Sequence, residues 1–143
     1  MTAYDDIYTD FLLKISDLNI ADYDEETFDK MITRSFNKAV GKFSSYCIQD
    51  LTKRDDEKQE FSIDLSDEEI DIITDYMVLM WLEPAVYNEE NLKNVLNTSD
   101  YTFYSPASLL EKVKDLYVLT RSKLRGKVNK YTLTNESFEK WAR

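Results

Sequence analysis

The residue types from which enzyme and metal sites are usually built are scarce in this chain. It contains no histidine, which removes Ser-His-Asp and Cys-His nucleophiles, His-ligated zinc and the imidazole general base. Its two glycines, Gly41 and Gly126, fall within helical patterns and leave no phosphate-cradling loop and no dinucleotide fingerprint. Cys47 is the sole cysteine and has no CxxC partner. It reads as a small buried hydrophobe, and a lone cysteine without an internal disulfide suits a reducing compartment. Carboxylates are plentiful, 28 Asp and Glu against 18 Lys and Arg, for a net charge of -10. Any two of them brought together by folding could act as an acid and base pair, yet no pair is singled out by spacing. Asp22, Asp24, Glu25 and Glu26 cluster as metal ligands do, but the turn glycine and twelfth-position glutamate of a calcium loop are missing. They fit the acidic start of a helix. No catalytic residue, cofactor or metal ligand is expected, and the chain reads as a non-enzyme.

The charges that remain point to interaction. Met1 to Asp75 carries 20 acids and 8 bases, net -12, whereas Tyr76 to Arg143 carries 8 acids and 10 bases, net +2. From Pro106 onward the balance is 4 acids to 9 bases, centred on Arg121, Lys123, Arg125, Lys127 and Lys130. One molecule with an acidic and a basic region suits head-to-tail self-association, or the two regions neutralise each other within one bundle. Tyr117 and Tyr131 flank the basic stretch without being interleaved among its bases, and so acidic a chain repels DNA, so sequence-specific nucleic-acid recognition is not expected.

These residues need helices to position them. Gly and Pro number 2 each in 143 residues, too few for the turns of a β-sandwich or a loop-rich α/β enzyme. An all-α fold follows: a small helical bundle around a central helix at about 66–87, with a short extended arm or hairpin near 50–65 and a C-terminal tail. In the central stretch Ser66 and Glu69 are spaced as a capping box, and Asp67, Glu68 and Glu69 suit the positive end of the helix dipole. Ile70, Ile73, Met77, Met80 and Trp81 form one apolar line and Ile72, Tyr76 and Leu79 a second, so this helix needs neighbours on two sides.

In chain order, Thr2 is placed to cap a first helix with Asp5 at its third position, carrying Ile7, Phe11, Ile15 and Leu18 and ending near Asn19. Asp22 or Asp24 opens a second helix that buries Phe28, Met31, Ile32, Ala39, Val40 and Phe43 and runs to about Ser45. Gly41 there costs about 1 kcal/mol relative to alanine, so either a neighbouring helix passes close or the helix ends early. Asp50 to Asp64 is a charged connection in which Phe61, Ile63 and Leu65 alternate as in a short strand. Pro84 predicts a kink or an end in the last turn of the central helix. A short helix from Asn88 carries Leu92, Val95 and Leu96, and the loop NTSDYTFYSP follows. Ser105 and Pro106 then start the last long helix, with Leu109, Val113, Leu116, Thr120 and Leu124 inward. Gly126 marks its end or a hinge. Thr134 or Asn135 caps a final turn holding Phe138 and Trp141, which dock either on their own domain or on a partner. The expected division is one domain over 1–131 and a tail over 132–143. The acidic N-terminus is unlike a secretory signal, the apolar run from Tyr76 to Leu82 is far short of the roughly 20 residues that span a bilayer, and the chain is expected to be soluble.

Several stretches together resemble the head-to-tail adaptor (connector, or head-completion) proteins of tailed bacteriophages: YDDIYTDFLLKI, DLTKRDDEKQEFSIDLSDEEI, MVLMWLEPAVYNEENLKNVLNTSDYTFYSPASLLEKVKDLY and the basic helix after it. The most specific positions are Trp81 with Pro84, Asn91 with Leu92, and the helix start Tyr104, Ser105, Pro106 and Ala107. The resemblance implies a helical subunit of the virion neck, assembled in the host bacterial cytoplasm. Its partners would be the portal protein, further copies of itself in a ring (twelvefold by the resemblance), and the next neck or tail protein. Genome DNA would pass through without specific binding, and no membrane or cofactor is involved. On matching positions, Arg121, Lys123, Arg125, Lys127, Lys130, Phe138 and Trp141 become candidate portal contacts. The arm residues Lys53, Arg54, Asp55, Asp56, Glu57 and Phe61 become candidate contacts with a neighbouring subunit or the tail side. An acidic balance suits a channel wall along which DNA must slide. The alternative is a small acidic inhibitor that mimics DNA, which needs Asp10, Asp17, Asp29, Asp71 and Asp75 aligned on one exposed surface.

Overall fold

Ser66 and Glu69 make the reciprocal cap their spacing implies. The Glu69 N–H donates to Ser66 Oγ at 3.1 Å and the Ser66 N–H donates to Glu69 Oε1 at 2.8 Å, so one pair of side chains satisfies two otherwise unpaired donors. They open α3, Asp67–Tyr87, in a computed structural model that describes residues 1–15, 24–87 and 106–142, with side chains for 1–15, 24–84, 86 and 111–134. Pro84 lies in the last turn of α3, where it supplies no N–H to the carbonyl four residues back. Three helices pack on α3: α1 (Tyr4–Lys14), α2 (Glu25–Phe43) and α4 (Pro106–Ala142). Ile72, Ile73, Met77, Leu79, Trp81 and Leu82 are all buried among them. A helix apolar on so many sides is stable only when enclosed, and three partners enclose it where its two apolar lines implied two sides.

The cap expected at Thr2 does not form. Ala3 occupies the N-cap position of α1 without a side-chain bond, and Thr2 belongs to an extended segment laid against the arm. Its N–H donates to the Ile63 carbonyl at 3.1 Å, its carbonyl accepts from the Phe61 N–H at 2.7 Å, and its hydroxyl oxygen accepts from the Leu65 N–H at 2.9 Å. Pairing of this kind satisfies main chain and side chain together, so it outcompetes a local cap that would satisfy one donor. α1 is described to Lys14 with Ile15 as its C-cap. The rest of the stretch expected to reach Asn19, with Leu18 and Asp22, lies outside the described residues.

Asp24 caps α2 by accepting from the Thr27 N–H at 2.7 Å. Ile32, Phe36, Ala39, Val40 and Phe43 are buried on its inner face and Phe28 and Met31 pack at its edge. A Cβ on Gly41 would meet nothing within 4 Å. Among the described residues no helix passes close there, and α2 does not end early but runs through the glycine to Phe43, with Ser44 as its C-cap, close to the expected end. The arm is a hairpin of β1 (Arg54–Asp55) and β2 (Glu60–Phe61), antiparallel, with Arg54 opposite Phe61 and Asp55 opposite Glu60. Ala3 bridges Glu60 on the outer edge of β2. Gln59 turns the chain into β2 at a φ of 53°, a left-handed value that glycine or asparagine would adopt at lower cost.

The last helix departs from expectation in two ways. It passes through Gly126 and through the boundary at 131 without a break and continues to Ala142, so neither a hinge at Gly126 nor a fresh start at Thr134 or Asn135 is present. A single glycine lowers helix propensity by only about 1 kcal/mol, which packing along a helix this long overrides. Its inner line also differs: Val113, Leu124, Val128 and Tyr131 are buried, with Tyr117, Thr120 and Lys127 partly so. Leu116, expected inward, is exposed. The inward position is taken by Tyr117, and the line recurs by alternating steps of four and three residues. The side chain of Leu109, the expected short helix from Asn88 and the loop NTSDYTFYSP lie outside the described residues.

Candidate interaction surface

Two polar centres hold α4 to the body and thereby decide which of its residues face outward. At the first, the Glu69 carboxylate is 2% exposed. Its Oε1 accepts from the Ser66 N–H at 2.8 Å and Gln49 Nε2 at 2.7 Å, and its Oε2 accepts from the Tyr131 hydroxyl at 2.7 Å and Cys47 Sγ at 3.3 Å. Tyr131 O in turn accepts from the Ile48 N–H at 3.1 Å, and its ring meets Phe43 edge-on at 5.4 Å. Burial works against ionisation of Glu69, but the four donors outweigh it and hold the carboxyl below the usual glutamate range. Burial, with Glu69 facing it, raises the Tyr131 hydroxyl above its ordinary value, so it stays a donor. The Cys47 thiol is pushed up to about 11, first by burial, which leaves it unsuited to nucleophilic chemistry.

The second centre joins α1, α3 and α4. Lys14 Nζ lies 2.6 Å from Asp71 Oδ1, 2.9 Å from Asp75 Oδ1 and 3.8 Å from Asp10 Oδ2, and also donates to Thr74 Oγ1 at 2.6 Å. Lys127 Nζ reaches Asp71 Oδ2 at 2.8 Å and Asp75 Oδ2 at 2.6 Å. Burial disfavours both charged forms here, and the facing charges win: the Asp71 carboxyl is held low and the Lys127 ammonium high. Acids and bases from the two halves of the chain therefore meet in part inside one molecule. Asp10, Asp71 and Asp75 face lysines, Asp29 is exposed on α2, and Asp17 lies outside the described residues, which is not the single exposed row that a DNA mimic needs.

With Lys127 engaged, the other four candidate bases, Arg121, Lys123, Arg125 and Lys130, are exposed, as are Lys112 and Lys114 earlier in α4. The Arg121 guanidinium lies 5.9 Å from the centre of the Tyr117 ring. Opposite the buried line stands an apolar and neutral stripe that the sequence reading did not isolate: Val118, Leu119, Ser122, Gly126, Asn129 and Leu133. Leu119, Val118 and Leu133 are more than half exposed, and α4 contributes four of the eight exposed large hydrophobics among the described residues. Steps of three and four from Leu119 to Leu133, half a turn out of phase with the inner line, are the signal that could have found it. Phe138 and Trp141 lie on the final turns of α4, and their side chains are outside the described residues.

The arm is less available than its charges suggest. Phe61 is fully buried in the core, against Tyr4 and Phe36, and is not a surface contact. Arg54 lies over the Phe36 ring at 5.8 Å, donates to Asn37 at 3.1 Å and approaches Asp56 at 3.6 Å. Asp56 accepts from the Tyr4 hydroxyl at 2.7 Å, and Asp55 caps the turn by accepting from the Glu57 and Lys58 N–H groups. Lys53 and Glu57 remain exposed. Among the described residues no group of three or more Cys, Asp or Glu is placed to hold a metal ion, and no helix is long and apolar enough to cross a membrane. No protein-family model, curated protein or solved structure matches this chain.

Proposed function

We propose that this chain is a structural protein of a tailed-phage neck, a ring subunit between the portal and the next neck or tail component that continues the DNA channel. The observation that carries the reading is the reach of α4. At 37 residues against the 21 of α3, it measures about 55 Å against about 32 Å. Tyr131 meets Glu69 in the first turn of α3, and α4 continues for eleven residues, about 17 Å, beyond that contact. A helix so much longer than the one it packs on, with exposed bases and exposed leucine along it, suits completion by another protein. The end of α4, from Lys130 through Phe138 and Trp141, meets the portal in this reading, and the exposed tip of the arm at Lys53 and Glu57 faces a neighbour or the tail side. The mostly helical fold agrees with the helical subunit that the adaptor resemblance implies.

Quantitative peptide mass spectrometry on gradient-purified particles tests it. Copy number equal to that of the portal is the expected result. Absence from particles that contain the portal would overturn the reading.

A further inference from the structure

The outer stripe of α4 has a counterpart on the same molecule. α1 and α2 both pack on α3 but diverge from each other, leaving a cleft of about 500 Å³ whose floor includes Leu12, Phe28 and Ile32 and whose rim carries Asp5 and Asp29. Among the described residues none of α3 or α4 lines it. The stripe reverses this pattern: an apolar ridge of Val118, Leu119 and Leu133 with Arg125 on one flank and Lys123 on the other. At about 100° per residue these two bases fall on either side of Ser122, roughly 160° apart. Ser122 and Gly126 keep the ridge low at its middle, and a Cβ at Gly126 meets nothing in its own molecule. An apolar ridge with basic flanks thus has a counterpart in a cleft with an apolar floor and acidic rims, complementary in charge.

We propose that the outer stripe of α4 docks in the α1–α2 cleft of a second copy of this chain. Ridge and cleft are different patches of one molecule, so the contact is heterologous: each copy receives one neighbour and offers its ridge to the next, and the series closes into a ring or runs on. This rests on the ring reading above for the identity of the second copy as a ring neighbour, and it gives Lys123 and Arg125 to that neighbour, leaving Lys130 and the end of α4 for the portal.

Site-directed cross-linking on the full chain tests the contact. In a Cys47→Ser background, one preparation carries Ser122→Cys on the ridge and another Thr33→Cys at the exposed edge of the cleft, and the two are mixed at high protein concentration in low salt under mild oxidation. A mixed disulfide between the two preparations is expected, falling about tenfold or more with Lys123→Glu and Arg125→Glu, and returning when the cleft partner carries Asp5→Lys and Asp29→Lys. Circular dichroism of each variant shows that it is folded. A predominant Ser122→Cys homodimer, or no cross-link between folded chains, overturns the contact. Mixed cross-linking by a chain absent from particles would leave the contact standing while the neck reading fell; portal-equal copy number without cross-linking would do the reverse.

Discussion

The two polar centres that fasten α4 do the same job with different physics. Glu69 is a buried carboxylate with four donors, one of them the hydroxyl of Tyr131. The Lys14 and Lys127 centre gathers three acids and two lysines at the margin of the fold, with the Lys127 side chain 41% exposed. A buried charge depends wholly on its protein partners, because water cannot replace a donor that is lost. A marginal cluster exchanges lost partners for solvent at little cost, and salt screens what remains. Number of ion pairs is therefore a poor guide to which centre matters more.

The sharpest way to break the comparison is Glu69→Ala, which strands Tyr131, Gln49 and the Ser66 N–H and removes the cap of α3. The expected loss is about 3 kcal/mol, read as a lower urea midpoint at unchanged slope. A loss below about 1 kcal/mol would mean that water reaches this centre and that the contrast is false. Next in size is the pH dependence. Glu69 and Asp71 have lowered folded values, so their stabilisation is present above the ordinary carboxyl range near pH 4–4.5 and fades as pH falls through the folded values. Lys127 is raised, so its contribution is complete below about pH 10.4 and is lost as pH rises through the folded value. Cys47, pushed up to about 11, adds a loss that begins near its ordinary value, about pH 8.5. Urea titrations should show a shallower acid limb in Glu69→Gln and a shallower alkaline limb in Lys127→Met. Matching limbs in variant and parent would separate these groups from the pH response. The smallest effect is Lys127→Met at neutral pH, at most about 1 kcal/mol in low salt and less in high salt. A large, salt-independent loss would place this centre in the same class as Glu69.

What could be read in the sequence was what is local. Ser66 with Glu69, and Asp24 with Thr27, satisfy their own neighbourhoods: the first cap forms where spacing put it, and the second falls on Asp24, one of the two candidates. Alternation through Phe61, Ile63 and Leu65 marked an extended arm, and the dearth of glycine and proline marked a helical fold. Thr2 misled because its hydroxyl suits a helix start as well as a strand edge, and the choice depends on Phe61 and Leu65, some sixty residues away. Leu116 misled because a leucine one position from Tyr117 satisfies the same approximate period, and the register of α4 is fixed by Tyr131 meeting Glu69. The outer ridge was legible in principle as the complement of the inner line, and became visible only once that register was known. Lys127 was grouped with the outward bases because nothing near it in sequence reports Asp71 and Asp75.

The placing of Tyr131 and Lys127 also sets an order of events in time. Synthesis delivers α1, α2 and α3 first, yet Val78, Leu79 and the second lysine of Asp75 wait for the later α4. Until α4 arrives the nascent chain carries a bare apolar flank on its central helix, and closing contacts so distant in sequence is slow. A stalled or shortened product is therefore a sticky one, whose fate in the cell is set by holding and degrading factors before any partner is met.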